Sequence, residues 1–363
     1  MRLATTCIAI LALCTVNPLA TRAEDFLTQD TNYQASAPES VLSGDTTAYE
    51  ETNASLVSSL LESNSCAPGA CCGTSACGNA GCACGSCGCL DDSRLCGLFM
   101  SDHEFDNFIE PVTNPLFFED PRSRTRARFL FINQDIPDDS ILGGGDLQVY
   151  ALQVTAALSE RFSIIAQKDG FITLQPGAGP STDGWGDIAT GFKYVLIRDT
   201  ENQFLVSGGL LYEWSNGSRD VFKGNGDGMW NFFVSTGKEL GCRTHFVGTF
   251  GYHQPNNSSQ ESTSIFYSTH LDYMITDKLY ALWEMTGIQY TQSGRRLGVS
   301  QEGGDLINLG ASNVAGHHFL SMAIGGAYRM NKHLEFAGAW GFPVTDRKDL
   351  YDSRTTVTAS LIY

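Results

Sequence analysis

Nine cysteines, Cys66, Cys71, Cys72, Cys77, Cys82, Cys84, Cys87, Cys89 and Cys96, crowd one tract of Gly and Ala. Thiols at this density pair as disulfides, chelate a metal, or stand in a tolerated low-complexity run. Disulfides suit a chain that leaves the cytoplasm, because they persist in oxidising compartments. Cys82-Ala83-Cys84 and Cys84-x-x-Cys87 could chelate zinc, yet paired CxxC motifs at finger spacing and supporting histidines are missing. Metal in this tract stays an open question, and the tract is too short for a catalytic domain.

Nucleophilic catalysis would need Ser or Cys beside His and an orienting carboxylate. No G-x-S-x-G elbow occurs among the seven histidines' neighbourhoods, nor the His-x-Ser pattern of an outer-membrane phospholipase. His317-His318 reads as a solvated pair. His270 and Asp272 stand two residues apart, so on a strand they could touch, with a structural hydrogen bond as the simplest outcome. Gly143-Gly144-Gly145-Asp146, Gly224-Asn225-Gly226-Asp227-Gly228 and Gly303-Gly304-Asp305 are not phosphate loops, since no Lys-Ser/Thr follows them. Carboxylates and carbonyls there could hold calcium, but turn chemistry explains Gly and Asp as well. No cofactor is implied.

The elements that must position these residues differ along the chain. Met1-Arg2, the apolar run Leu3–Val16 and the small residue Ala23 read as a secretory signal over 1–23. Residues 24–65 are polar and poor in aromatics, hence a disordered linker; 66–98 is the cysteine-rich tract. Residues 99–124 bring Phe99, Phe105, Phe108, Ile109, Phe117 and Phe118 together with Pro111, Pro115 and Pro121. Prolines so frequent prevent a long helix, so this is an irregular leader or plug. The net charge of −17, from 23 Lys+Arg against 40 Asp+Glu, argues against nucleic acid. Beyond residue 25 no apolar run is long enough for a spanning helix.

From Thr125 onward, β-branched and aromatic runs are punctuated by Gly, Asp, Asn and Ser. Strands are expected at 125–133, 146–158, 162–172, 186–197, 203–214, 229–239, 243–253, 263–275, 279–291, 317–329, 333–342 and 354–363. The connections between them run 12, 3, 13, 5, 14, 3, 9, 3, 25, 3 and 11 residues. Long and short alternate throughout, as in a bacterial outer-membrane barrel with long outer loops and short periplasmic turns. The fold expected is all-β: a twelve-stranded antiparallel transmembrane up-and-down β-barrel over 125–363.

Parity within the strands separates two faces. Tyr150, Leu152, Val154, Ala156 and Leu158 share one side, as do Phe204, Val206, Leu210, Tyr212 and Trp214. Ile265, Tyr267, Leu271, Tyr273 and Ile275 oppose Ser268, His270 and Asp272, and Val357, Ala359, Leu361 and Tyr363 oppose Thr356, Thr358 and Ser360. The strands at 162–172 and 279–291 alternate poorly. Lumen-facing candidates by parity are Lys193, Glu213, Asn231, His270, Asp272, Glu284, Arg329 and Glu335, whose charge balance predicts a weak cation preference. Trp185, Trp214, Trp230, Tyr252 and Tyr290 fall near the long-loop ends. Phe162, Phe204, Tyr273, Tyr280, Tyr328 and Tyr363 fall near the short-turn ends, the pattern of two interfacial girdles.

The terminal run Thr356–Tyr363, alternating up to an aromatic, resembles the last strand of outer-membrane β-barrels. Gly186-Asp187-Ile188-Ala189-Thr190-Gly191-Phe192-Lys193-Tyr194 is similar to the "GD-x-x-x-G-x-KY" strand of the phenol-degradation MetA-pathway family. The leader Phe108–Pro121 resembles an uncharacterised exported subfamily of such barrels. The resemblance covers roughly residues 100–363 and implies an outer-membrane transporter or porin-like protein.

These readings converge on a barrel in the outer membrane, in contact with its lipid, passing small solutes, with the N-terminal extension in the periplasm. Twelve strands leave the lumen narrow, or occupied by 99–124. A structural protein whose cysteine-rich extension binds a partner or metal is the alternative, with an outer-membrane hydrolase after it. Removing Cys7 and Cys14 with the signal leaves nine clustered cysteines and Cys242. An odd cluster and a lone thiol in one oxidising compartment suggest a disulfide between them.

Overall fold

The computed structural model describes residues 99–363; the expected signal, linker and cysteine tract lie outside the described residues. The described strands are β1 Arg126–Asp135, β2 Gly145–Ala157, β3 Phe162–Pro176, β4 Thr182–Trp185, β5 Ile188–Asp199, β6 Phe204–Trp214 and β7 Met229–Gly241. They continue as β8 Thr244–Pro255, β9 Thr263–Met274, β10 Leu279–Gln292, β11 His318–Asn331, β12 Leu334–Pro343 and β13 Ser353–Ile362. Apart from β4 and β5, which both pair with β3, each pairs antiparallel with its sequence neighbour, and β1 pairs with β13 from Arg126↔Ile362 to Asp135↔Ser353, which closes the sheet.

Twelve strands form the wall, because β4 and β5 are one interrupted strand. Both pair with β3, β4 at Phe171↔Trp185 through Leu174↔Thr182 and β5 at Phe162↔Tyr194 through Lys168↔Ile188. The expected strand 186–197 is therefore shifted and extended: Gly186-Asp187 is the break. Opposite it, β3 carries a bulge around Gly170, whose φ is +80° and whose Cβ would lie 2.0 Å from the Tyr150 carbonyl oxygen. Only glycine fits there, and the extra residue reverses the side-chain parity along β3. This is why 162–172 alternates poorly in sequence.

Short connections at 158–161, 200–203, 242–243, 275–278 and 332–333 share one end, and the longer ones at 136–144, 215–228, 256–262, 293–317 and 344–352 the other. Closure of the ladder satisfies the backbone, and an apolar belt faces outward. Phe129, Trp185, Leu196, Phe250, Ile324 and Leu361 are exposed there. Tyr280 and Tyr290 correct the expected girdles, because both face inward and are buried. β10 does alternate, with Tyr280, Leu282, Glu284, Thr286, Ile288 and Tyr290 inward. Its inner face is largely apolar because it packs against an internal segment, so the two faces could not be told apart by polarity.

Candidate functional site

That internal segment is 102–124. It enters at the short-turn end, where the Phe99 N–H donates to the Ala157 carbonyl at 2.9 Å and Ser101 meets Tyr363. A single 3-10 turn, His103–Phe105, is capped by Asp102, whose side chain accepts from the Glu104 N–H. The chain then climbs to an apex at Asn114–Phe117 and returns to Ser123, which hydrogen-bonds Ser163 at 2.8 Å. Pro111, Pro115 and Pro121 cannot donate, so no helix or strand forms. The carbonyls and amides left over must find partners elsewhere.

The barrel wall supplies them. Gln153 donates to the Pro115 carbonyl at 3.2 Å, Asn231 to Leu116 at 3.2 Å, Ser268 to Phe117 at 3.3 Å and Thr249 to Glu119 at 3.1 Å. Lys193 donates to the Asp120 carbonyl and Ser207 to that of Pro121. In the other direction, Glu284 accepts the N–H groups of Val112 and Thr113, each at 2.7 Å, and Asp272 accepts that of Ile109 at 3.1 Å. Gln167 bonds Glu119, Arg126 pairs with Glu110, and Arg329 donates to the carbonyls of Asp106 and Phe108 while pairing with Glu335 at 3.0 Å. Ala337 and Ala339 of β12 pack with Ile109 and Val112. Every strand but β4 takes part, β13 through Ser360, which donates to Glu110 at 3.2 Å.

Apolar contacts fill the remaining space. Phe117 stacks on Phe266 with centroids 4.5 Å apart, and Phe105, Phe108 and Phe118 pack with Val195, Leu205 and Val247. Phe233 and Phe266 lie across the glycines Gly209 and Gly251, where a Cβ would collide with the ring. Phe105, Phe108, Phe117 and Phe118 are thus interior side chains of the barrel, whereas Phe99 is half-buried at the short-turn end.

A second closure comes from the long-loop end. Loop 293–317 buries Leu306, Ile307, Leu309 and Val314. Its Asp305 pairs with Arg354 at 2.7 Å, and the same guanidinium donates to Asn114 Oδ1 at 3.3 Å and to Gln134. Arg354 therefore joins the apex of 102–124 to the outer loop. Two cavities lined by Glu213 and His253, one of them also by Leu116 and Phe117, measure about 20 Å³ each, room for a single water.

Of the eight lumen candidates, Lys193, Asn231, His270, Asp272, Glu284 and Glu335 are buried, and Glu213 and Arg329 are half-buried. Lys193, Asn231, Asp272, Glu284, Arg329 and Glu335 touch 102–124 directly or pair with a residue that does. Glu213 instead pairs with Lys223 at 3.1 Å toward the long-loop end. His270 Nδ1 lies 2.7 Å from Glu284, and its Nε2 is 3.5 Å from Asp272 without a hydrogen bond. Asp272 is engaged instead by His245 at 2.6 Å. This buried chain of histidines and carboxylates ends on backbone N–H groups of 102–124, an anchoring role. Cys242 lies in the β7–β8 turn at the short-turn end; its expected link to the 66–96 tract falls on residues outside those described.

The inner face also holds residues that the sequence reading left aside. Arg126 and Arg128 of β1 and Arg354 of β13 all face inward and are buried. The run Arg122-x-Arg124-x-Arg126-x-Arg128 carried the signal. With these three cations the wall no longer has an excess of carboxylates, so the reason for a cation preference disappears. In the rim tracts the glycines Gly143, Gly144, Gly145, Gly224, Gly226, Gly228 and Gly304 take positive φ, which is turn chemistry. No group of three His, Cys, Asp or Glu side chains is arranged to hold a metal among the described residues. Asp187 of the "GD" motif accepts from the N–H of Gly217 at 2.6 Å and of Gly224 at 3.0 Å, fixing the 215–228 loop.

No family model matches the chain, and no curated protein matches it. Solved structures do match. An outer membrane channel from Pseudomonas putida F1 aligns with a TM-score of 0.50 and 8% identity, over 70% of this chain and 100% of that one. The NanC porin gives 0.43 and 10% over 66% and 99%, and the KdgM porin in complex with disordered oligogalacturonate gives 0.41 and 9% over 66% and 99%. At such identities the likeness is one of fold: this chain folds as the outer membrane channel does, as a closed antiparallel β-barrel.

Proposed function

We propose that this protein is an outer-membrane channel for small solutes, held shut by residues 102–124 and opened when that segment leaves the bore. The outward belt of aromatic and aliphatic side chains suits lipid, and in this reading the short turns face the periplasm, as they do in bacterial outer-membrane barrels, with the N-terminal extension on the same side. The observation that carries the gating is topological. Both ends of 102–124 lie at the short-turn end, so the segment can withdraw from that side without unthreading. Many of its anchors are side-chain hydrogen bonds to backbone groups, each worth about 0.5–1.5 kcal/mol, or about 1.5–3 when a charge takes part, beside the Arg126–Glu110 ion pair. Such contacts break and reform one at a time. In this reading the resemblance to the phenol-degradation family supplies the solute class, small organic molecules.

Liposome swelling with the purified full chain tests the proposal. Wild type is expected to pass a neutral pentose slowly, and variants that loosen 102–124 faster. Equal, background permeability of wild type and of a loosened variant, both folded by heat-modifiable gel mobility, would overturn it.

A further inference from the structure

Arg122, Arg124, Arg126 and Arg128 alternate along one run, and three of them are engaged. Arg122 pairs with Asp120 at 2.6 Å, Arg126 with Glu110, and Arg128 donates to the Val112 carbonyl at 3.2 Å. Arg128 keeps one idle donor, its Nε. Arg124 keeps two: it is 3% exposed, and its Nε and Nη1 have no hydrogen-bond partner among the described residues. A buried guanidinium with idle donors is costly, because the water it gave up is not replaced. Such a group calls for an acceptor.

Arg124 lines a cavity of about 240 Å³ at the short-turn mouth of the barrel. Lys278 and Arg329 line it from the two sides of the β10–β11 pair, and Lys332 lines it from the following turn. Among the described residues, Asp106 and Asp277 are the only carboxylates on the cavity wall. Four cations thus meet two anions, in a chain whose net charge is −17. Arg329 is committed to Glu335 and to carbonyls of the internal segment. Lys278 and Lys332 are exposed at the rim, aligned with a cavity whose inner wall is Arg124.

We infer that this cavity binds a small oxyanion of the phosphate type, with Arg124 as its inner clamp and Lys278 and Lys332 as its outer one. The planar guanidinium fork matches two oxygens of such an ion, and the ammonium groups add point charges without demanding fixed geometry. The ion can come from free phosphate in the surrounding water or from the headgroup of an anionic lipid. Seated there, it would bridge the root of the internal segment to the β9–β10 and β11–β12 turns. The inference stands apart from solute passage, because it concerns the mouth and not the bore.

The test measures the midpoint temperature of heat-modified gel mobility for the full chain in a zwitterionic detergent. Inorganic phosphate is titrated at constant ionic strength against potassium chloride. A saturable rise in midpoint is expected for wild type, with at least tenfold weaker apparent affinity in Arg124→Gln. Where Arg124→Gln fails to fold, Lys278→Gln/Lys332→Gln serves, its two positions being exposed, with a severalfold weakening expected. The same titration in phosphatidylcholine vesicles with and without phosphatidylglycerol identifies the source. Loss of the phosphate response with phosphatidylglycerol assigns the site to a headgroup, and its persistence assigns it to the free ion; both support the site. No saturable response in wild type, or one unchanged in the variants, overturns it.

Discussion

Glu284→Gln probes the closure at its most loaded contact. The carboxylate is fully buried in the barrel and accepts two backbone N–H groups of the internal segment at 2.7 Å, the Thr113 hydroxyl, and His270 at 2.7 Å. Glutamine keeps the shape but offers a single carbonyl, and it turns an NH2 donor toward a second donor. One charge-assisted bond, about 1.5–3 kcal/mol, is lost, and one buried N–H is left unpaired at about 1–3 kcal/mol. Taking the low ends together, docking of 102–124 weakens by about 2.5 kcal/mol. At about 1.4 kcal/mol per factor of ten, the undocked population rises roughly sixtyfold. Open events in planar bilayers should become about as much more frequent, with unchanged conductance per event. Glu213→Gln is the control, because Glu213 pairs with Lys223 and does not touch the segment. If Glu284→Gln folds and opens as rarely as wild type, or if Glu213→Gln opens as often as Glu284→Gln, the anchoring argument is wrong.

Leu271→Arg places a cation on the outward face and should cost about 2–4 kcal/mol of assembly, whereas Leu271→Ile should assemble normally; heat-modified mobility reads both. Burial, with Glu213 and Asp187 nearby, pushes the Glu261 carboxyl up to about 8 from 4.5. The folded loops then hold a proton that the unfolded chain releases, so this stabilisation is full below about pH 4.5 and lost as pH rises toward 8. Glu261→Gln should therefore lessen the fall in midpoint across that window, and a wild-type midpoint that rises with pH there would contradict the argument. Peptide mapping without reduction should find Cys242 linked to a cysteine of the 66–96 tract. Alkylation of Cys242 before any reductant would refute that link.

What the sequence determined by itself was the wall. Side chains alternate along a strand with period two, and turns are marked by glycine and aspartate, so strand positions, the rhythm of long and short loops, and the faces of β2, β6, β9 and β13 were legible locally. Lys193, His270, Asp272 and Glu284 followed from the same parity. The bulge at Gly170 was not, because it shows only against the Tyr150 carbonyl of the neighbouring strand. Nor were the faces of β10, since its inner residues are apolar for the sake of Ile109 and Val112, more than 160 residues away in the chain.

The closure itself belongs to the tertiary structure. Residues 99–124 have no periodicity of their own, and the composition read equally as a leader or a plug. Their backbone groups are satisfied by Gln153 of β2, Asn231 of β7, Ser268 of β9 and Glu284 of β10, which surround the segment only when β1 meets β13 and the sheet closes. Arg354 could be read as an inward residue of the last strand, but its joint hold on Asn114 and Asp305 requires three distant segments to converge. Parity along one strand decides which way a side chain points; what it meets there is decided by the whole ring.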